Sequence, residues 1–117
     1  NCKIFEALGQ FRYYNLLDKA SAIIGNSSSG LFEAPSFDIP TVNIGDRQKG
    51  RIRSKSVIDC KCIKSEIRTS IDKALKLNLK NVENPYGDGN SAKKIVEALK
   101  SINNYQGLLQ KHFFDYE

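Results

Sequence analysis

Ile23-Ile24-Gly25-Asn26-Ser27-Ser28-Ser29-Gly30-Leu31-Phe32-Glu33-Ala34-Pro35 is the stretch on which the reading of the fold turns. A short apolar strand runs into a turn of small hydroxyl residues and glycine. A helix then begins, with a carboxylate about a turn or more inside it. Backbone N–H groups at such a helix start are unpaired, and the helix dipole adds positive potential there. Serine hydroxyls add donors, and the lack of bulk lets an anion approach the backbone. Glu33 is too negative to hold phosphate, but a carboxylate accepts two hydrogen bonds from a vicinal diol such as a ribose. The pattern points to a nucleoside diphosphate. The competing reading of Ser27 to Ser29 is a plain helix cap.

Outward from this stretch, strands alternate with helices at short spacing. Lys3-Ile4-Phe5-Glu6 reads as a strand, with Ala7-Leu8-Gly9 as its exit. Phe11 to Lys19 reads as a helix with apolar Phe11, Tyr14, Leu16 and Leu17. Ala22 to Ile24 is apolar without alternation, the mark of a strand in a parallel sheet. The helix from about Ser29 to Ala34 is expected to stop near Pro35. Thr41 to Ile44 and Ser56 to Asp59 read as strands, separated by a polar, basic loop from Gly45 to Ser54.

Ile63, Ile67, Ile71 and Ala74 or Leu75 recur at helical spacing, predicting a helix from Lys64 to Lys76. Asn84-Pro85-Tyr86-Gly87-Asp88-Gly89 is a turn-forming loop. Asn90 or Ser91 can cap the next helix, whose apolar stripe is Ala92, Ile95, Val96, Leu99 and Ile102. Asn103 to Glu117 reads as a tail. The fold class is α/β, a partial Rossmann-like parallel sheet. In such sheets ligands bind beyond the carboxyl ends of the strands. Three loops leave those ends, Leu8 to Gln10, Asn26 to Gly30 and Gly45 to Ser54, and are expected to converge.

Composition narrows the classes. The 117 residues allow one domain of modest size, and 40% hydrophobic residues suffice for a core. No apolar run approaches the roughly 20 residues that span a bilayer. Asn1 leads almost directly into a strand-like segment, which predicts part of a longer polypeptide. The net charge of +5 fits attraction to phosphates or, equally plainly, a solvated lysine-rich surface. The one concentrated basic patch is Arg47, Lys49, Arg51, Arg53 and Lys55.

Three cysteines, Cys2, Cys60 and Cys62, fit neither a disulfide framework nor a zinc site. Cys60 and Cys62 share one face of extended chain and read as reduced thiols at a strand end in a cytoplasmic protein. No metal-ligand cluster is present in the sequence, and neither a metal nor a cofactor is expected. Asn26-Ser27-Ser28 spells a glycosylation acceptor, but a sugar there would block the turn. Asp88 reads as a turn residue and His112 as a surface residue.

The string GNSSSGLFEAPSFDIPTVNIGDRQKGR, followed by NPYGDG, resembles the hydrolysing UDP-N-acetylglucosamine 2-epimerases, including those of sialic-acid and related nonulosonic-acid synthesis. The likeness runs from Lys3 to about Ile102. It implies the later part of the C-terminal, UDP-binding domain of a two-domain glycosyltransferase-B-like fold.

Position by position, the resemblance puts Ser27 and Ser28 on the UDP phosphates and Glu33 on the ribose hydroxyls. Arg47 lines the nucleotide pocket, where its planar fork suits a phosphate. Leu8 offers backbone groups to the uracil. Tyr13 is either a base neighbour or ordinary helix packing. Ser29, Gly30 and Arg51 are further candidates; Arg51 and Arg53 read equally as solvated loop charges.

The implied reaction removes the C2 proton of UDP-N-acetylglucosamine and expels UDP from C1. Water then adds to the 2-acetamidoglucal, giving N-acetylmannosamine; a close variant acts on a 4-acetamido-4,6-dideoxy analogue. The acid and base carboxylates and the essential histidine belong to sequence outside this chain. No catalytic residue is therefore assigned within it, and the chain alone is expected to be inactive.

The resemblance also implies a homodimeric intact enzyme. The alternatives are the nucleotide half of a non-hydrolysing epimerase or of a glycosyltransferase. From another class comes a basic nucleic-acid module, which lacks the interleaved aromatics that stacking needs.

Overall fold

A computed structural model describes residues 2–109. The chain divides into two compact units, one ending at Tyr86 and one beginning at Gly87. The first unit holds a parallel sheet in the order β1-β2-β3, formed by Ile23–Gly25, Thr41–Ile44 and Val57–Cys60. Ile23 pairs with Thr41, and Thr41 with Val57. Because all three strands run the same way, their carboxyl ends share one edge of the sheet, as the alternation of elements requires. The central strand β2 is the dry one: Thr41, Val42 and Asn43 are all buried.

Helix α1 spans Gly9–Leu17, α2 spans Ser29–Phe32 and α3 spans Lys64–Ala74. The core gathers Leu17, Ala34 and Ile39, with Tyr13, Tyr14, Ala20, Ile23 and Phe37 packed around them. Helix α2 packs on β1 and β2, and α3 on β2 and β3. Gly30 makes the first of these contacts close. A Cβ built at Gly30 would overlap the Thr41 Cγ2 methyl. The Thr41 hydroxyl donates to the Gly30 carbonyl at 2.9 Å. Glycine stands there because helix and strand approach closer than a side chain permits.

Several expectations are corrected. Residues 3–6 form no strand, and Ile4 and Phe5 are exposed. A strand exists only when a neighbour takes its hydrogen bonds, and no described residue does so here. β1 is consequently an edge strand among the described residues, with Ile24 half exposed. Phe11 and Leu16 are exposed, because α1 turns its Tyr13, Tyr14 and Leu17 side inward.

Pro35 does not end the helical path. It sits in the first turn of a 3-10 helix, Ala34–Phe37, where its missing N–H costs nothing. The α-helix breaks before it, since Pro35 has no N–H to offer the Leu31 carbonyl. Glu33 therefore occupies the junction of two short helices rather than the interior of one.

The second unit carries α4, Ser91–Lys100. Asn90 stands at its N-cap without a side-chain cap; its Nδ2 instead donates to the Asp88 carbonyl at 3.4 Å. Asp88 accepts from the Asn90 N–H at 3.0 Å and pairs with Lys94 at 2.9 Å, the turn role read from the sequence. Ile95, Val96 and Leu99 of the expected stripe are exposed. A 3-10 turn follows at Gln106–Leu108. His112 lies outside the described residues. Among those described, no helix is long and apolar enough to cross a membrane.

Candidate functional site

An open cleft of about 540 Å³ lies between the entry to α1 and the junction after α2. Residues 5–10 line it together with Tyr13, Tyr14 and Glu33. Leu8, Tyr13 and Glu33, three of the residues singled out from the sequence, thus meet in one place. Leu8 is not on a strand exit; it is the half-buried residue at the N-cap of α1. Glu33 Oε2 is buried and has no hydrogen-bond partner. A carboxylate oxygen withdrawn from water normally finds a donor, so Glu33 Oε2 stands out as an unsatisfied acceptor.

The serine turn adjoins this cleft. The Tyr13 and Ser29 hydroxyls are hydrogen-bonded to each other, joining the cleft wall to the turn. Ser27 Oγ accepts the Ser29 N–H at 3.3 Å, and Gly30 N–H donates to the Ser27 carbonyl at 3.3 Å. The Ser27 and Ser28 amides donate to no described residue. The expected help from the helix dipole is small. α2 is a single turn, so few peptide dipoles align behind the serines.

The third expected loop reaches the turn through a residue the sequence did not single out. Gln48, only 2% exposed, donates from Nε2 to the Asn26 carbonyl at 2.7 Å. Arg47, the expected site residue beside it, is exposed. Arg51 places its guanidinium 5.2 Å from the centroid of the Phe32 ring. Arg51 is exposed, with this aromatic face as its neighbour. Arg53 pairs with Asp59 at 2.6 Å and donates to the Arg51 carbonyl at 2.7 Å, so its charge is already committed. The free thiols of Cys60 and Cys62 line a separate cleft, with Lys49 and Glu66. Among the described residues no cluster suits a metal ion.

Residues 1–100 match the family model described as UDP-N-acetylglucosamine 2-epimerase. The chain belongs to that family. It is 42% identical over 115 residues to the GDP/UDP-N,N'-diacetylbacillosamine 2-epimerase (hydrolyzing) of Campylobacter jejuni, covering 97% of this chain and 30% of that protein. It is 35% identical to the UDP-N,N'-diacetylbacillosamine 2-epimerase (hydrolyzing) of Legionella pneumophila, covering 93% and 29%. The solved UDP-GlcNAc 2-epimerase of Methanocaldococcus jannaschii superposes with a TM-score of 0.70 at 23% identity, covering 84% of this chain and 28% of that one. That likeness carries the fold. The chain therefore spans less than a third of each of these 2-epimerases.

What the described residues of this 2-epimerase-family chain offer chemically is a set of polar contacts around one cleft. Donors cluster at Ser27 and Ser28, an unpaired acceptor waits at Glu33, and backbone and ring line the wall between Leu8 and Tyr13. Three residues that organise it, Gln48, Asn84 and Tyr86, carried no local signal of their role. Gln48 lay within the quoted motif, masked by its basic neighbours. Asn84 and Tyr86 lay in a loop that the resemblance puts close to the cleft without giving it a chemical role.

Proposed function

We propose that this chain is the UDP-binding part of a hydrolysing 2-epimerase, which converts UDP-N-acetylglucosamine and water to N-acetylmannosamine and UDP. The observation that carries the reading is the unpartnered Glu33 Oε2 in a cleft walled by Leu8 and Tyr13. Family membership and two relatives named as hydrolysing enzymes support it. Glu33 takes the ribose diol, Leu8 the uracil edge, and Ser27 and Ser28 the diphosphate, with Arg47 closing on it.

The chain's contribution to rate is electrostatic. Donors fixed in advance stabilise the charge that builds on the departing diphosphate as the C1–O bond breaks. Proton removal at C2 and the later addition of water fall to groups beyond this chain. The chain by itself turns over no substrate, and the intact enzyme works as a cytoplasmic homodimer with no nucleic-acid partner. A second reading keeps the chemistry and changes the sugar to N,N'-diacetylbacillosamine, the substrate in the names of both relatives.

Calorimetry with UDP and 2'-deoxy-UDP tests the binding claim. The full-length protein should favour UDP, and Glu33→Ala should erase most of that preference. Equal weakening of both nucleotides by Glu33→Ala would refute the diol role. Release of UDP with a 2-epimerised free sugar, measured on both nucleotide sugars, identifies reaction and substrate together.

A further inference from the structure

The loop that begins at Asn84 is tied to both sides of the site. Asn84 Nδ2 donates to the Phe32 carbonyl at 2.8 Å and to Ser36 Oγ at 2.7 Å. These two acceptors bracket Glu33. Asn84 Oδ1 accepts the Tyr86 N–H at 3.0 Å, so both ends of the amide are used. The Tyr86 hydroxyl donates to the Ile52 carbonyl at 2.9 Å, in the basic loop. Its ring meets the Phe32 ring edge-on, with centroids 4.2 Å apart. The other partner of Phe32 is Arg51, next to Ile52.

These contacts close a circuit. Phe32 leads to Asn84, Asn84 to Tyr86, Tyr86 to Ile52, and Arg51 returns to Phe32. The circuit contains none of the buried core residues Leu17, Ala34 and Ile39. What it fixes is the chain just before Glu33 and the far end of the basic loop. The near end of that loop is fixed by Gln48 on Asn26.

We propose that Asn84 and Tyr86 are positioning residues, which set Glu33 toward the ribose and hold the basic loop against the diphosphate. The inference rests on the UDP-site reading above. Asn84→Ala frees the junction that carries Glu33. Tyr86→Phe keeps the ring against Phe32 and removes only the bond to Ile52.

The experiment uses the full-length protein, with affinities for UDP, 2'-deoxy-UDP and UMP, a melting temperature, and amide exchange of residues 45–54 without nucleotide. Asn84→Ala should cut the preference for UDP over 2'-deoxy-UDP about fivefold, the worth of one ordinary hydrogen bond. Tyr86→Phe should cut the preference for UDP over UMP about threefold and speed loop exchange by a similar factor. A purely structural role would lower the melting temperature and weaken all nucleotides in parallel, leaving both ratios intact; that result overturns the proposal. Should Asn84→Ala not fold, Tyr86→Phe decides. A parent protein with no UDP preference refutes the site reading, whereas unchanged loop exchange in Tyr86→Phe refutes the positioning role of Tyr86 whatever binds.

Discussion

Gln48 hangs the basic loop from the serine turn: its side-chain amide donates across 2.7 Å to the carbonyl of Asn26. One part-buried bond between residues 22 positions apart thus joins the loops that follow β1 and β2. Gln48 is nearly sealed from water, so its replacement has a defined cost.

Gln48→Ala leaves the Asn26 carbonyl short of a donor and should cost about 1–3 kcal/mol. Gln48→Glu should cost more at pH 7, because a buried carboxylate then faces a carbonyl. Burial raises that carboxyl's pKa, and its protonated form donates again. The gap between the two variants should therefore narrow as pH falls toward about 4. Urea melts of both variants at pH 7 and near 4 measure it.

Gly30→Ala should destabilise the protein by roughly 1–3 kcal/mol through overpacking against Thr41. Thr41→Ser removes the offending methyl and keeps the hydroxyl that reaches the Gly30 carbonyl. The double variant should be more stable than the sum of the singles allows, with a coupling of about 1 kcal/mol. Additive melting data would show that the close approach of α2 to β2 is not the cause.

Arg47→Lys should not restore what Arg47→Ala removes. A guanidinium grips a phosphate with two parallel bonds, and an ammonium acts as a point charge. Turnover by the full-length enzyme should fall roughly tenfold or more in both variants. Wild-type turnover in Arg47→Lys would remove Arg47 from the phosphate site.

Asp88 titrates low, at about 2 against an ordinary 3.8, because the Lys94 ammonium and then the Asn90 N–H hold its ionised form. A carboxylate depressed on folding stabilises above its unfolded pKa and loses that contribution as pH falls through the folded one. The clamp at the start of α4 should therefore open between about pH 4 and 2. Carboxyl-carbon NMR should show an Asp88 midpoint near 2. Lys94→Gln should return it toward 3.8, and an unmoved midpoint would exclude the pair as its cause.

Local chemistry carried much of the sequence reading. Thr41 to Ile44 carries β-branched Thr41, Val42 and Ile44 and is bounded by Pro40 and Gly45, and it is β2 to the residue. The Ile67 and Ile71 spacing likewise marks α3 from its first residue. What the sequence hid is non-local. Lys3 to Glu6 has strand-like composition, yet no described neighbour pairs with it, and composition does not reveal a missing neighbour.

Helical periodicity in α1 admits several faces, and only packing selects Tyr13, Tyr14 and Leu17 over Phe11 and Leu16. Leu8, Tyr13 and Glu33 were each legible as candidates, but their meeting in one cleft did not follow from the expected convergence of loops: Leu8 leaves no strand, and it is the N-cap of α1 that brings it beside Tyr13 and Glu33. Gln48, Asn84 and Tyr86 were not, because a polar side chain in a loop advertises neither its burial nor a partner far along the chain.

The bond from Asn84 to Phe32 spans 52 residues, and this distance sets an order of events during synthesis. α2 and the serine turn leave the ribosome well before Asn84 does. At about 5–20 residues per second, the two are separated by several seconds of translation. Through that interval Arg51 and Phe32 have no Tyr86 beside them, and closing so long a loop carries its own entropic cost. The nascent chain can thus pair β1, β2 and β3 before Asn84 and Tyr86 tie the Glu33 junction to the basic loop.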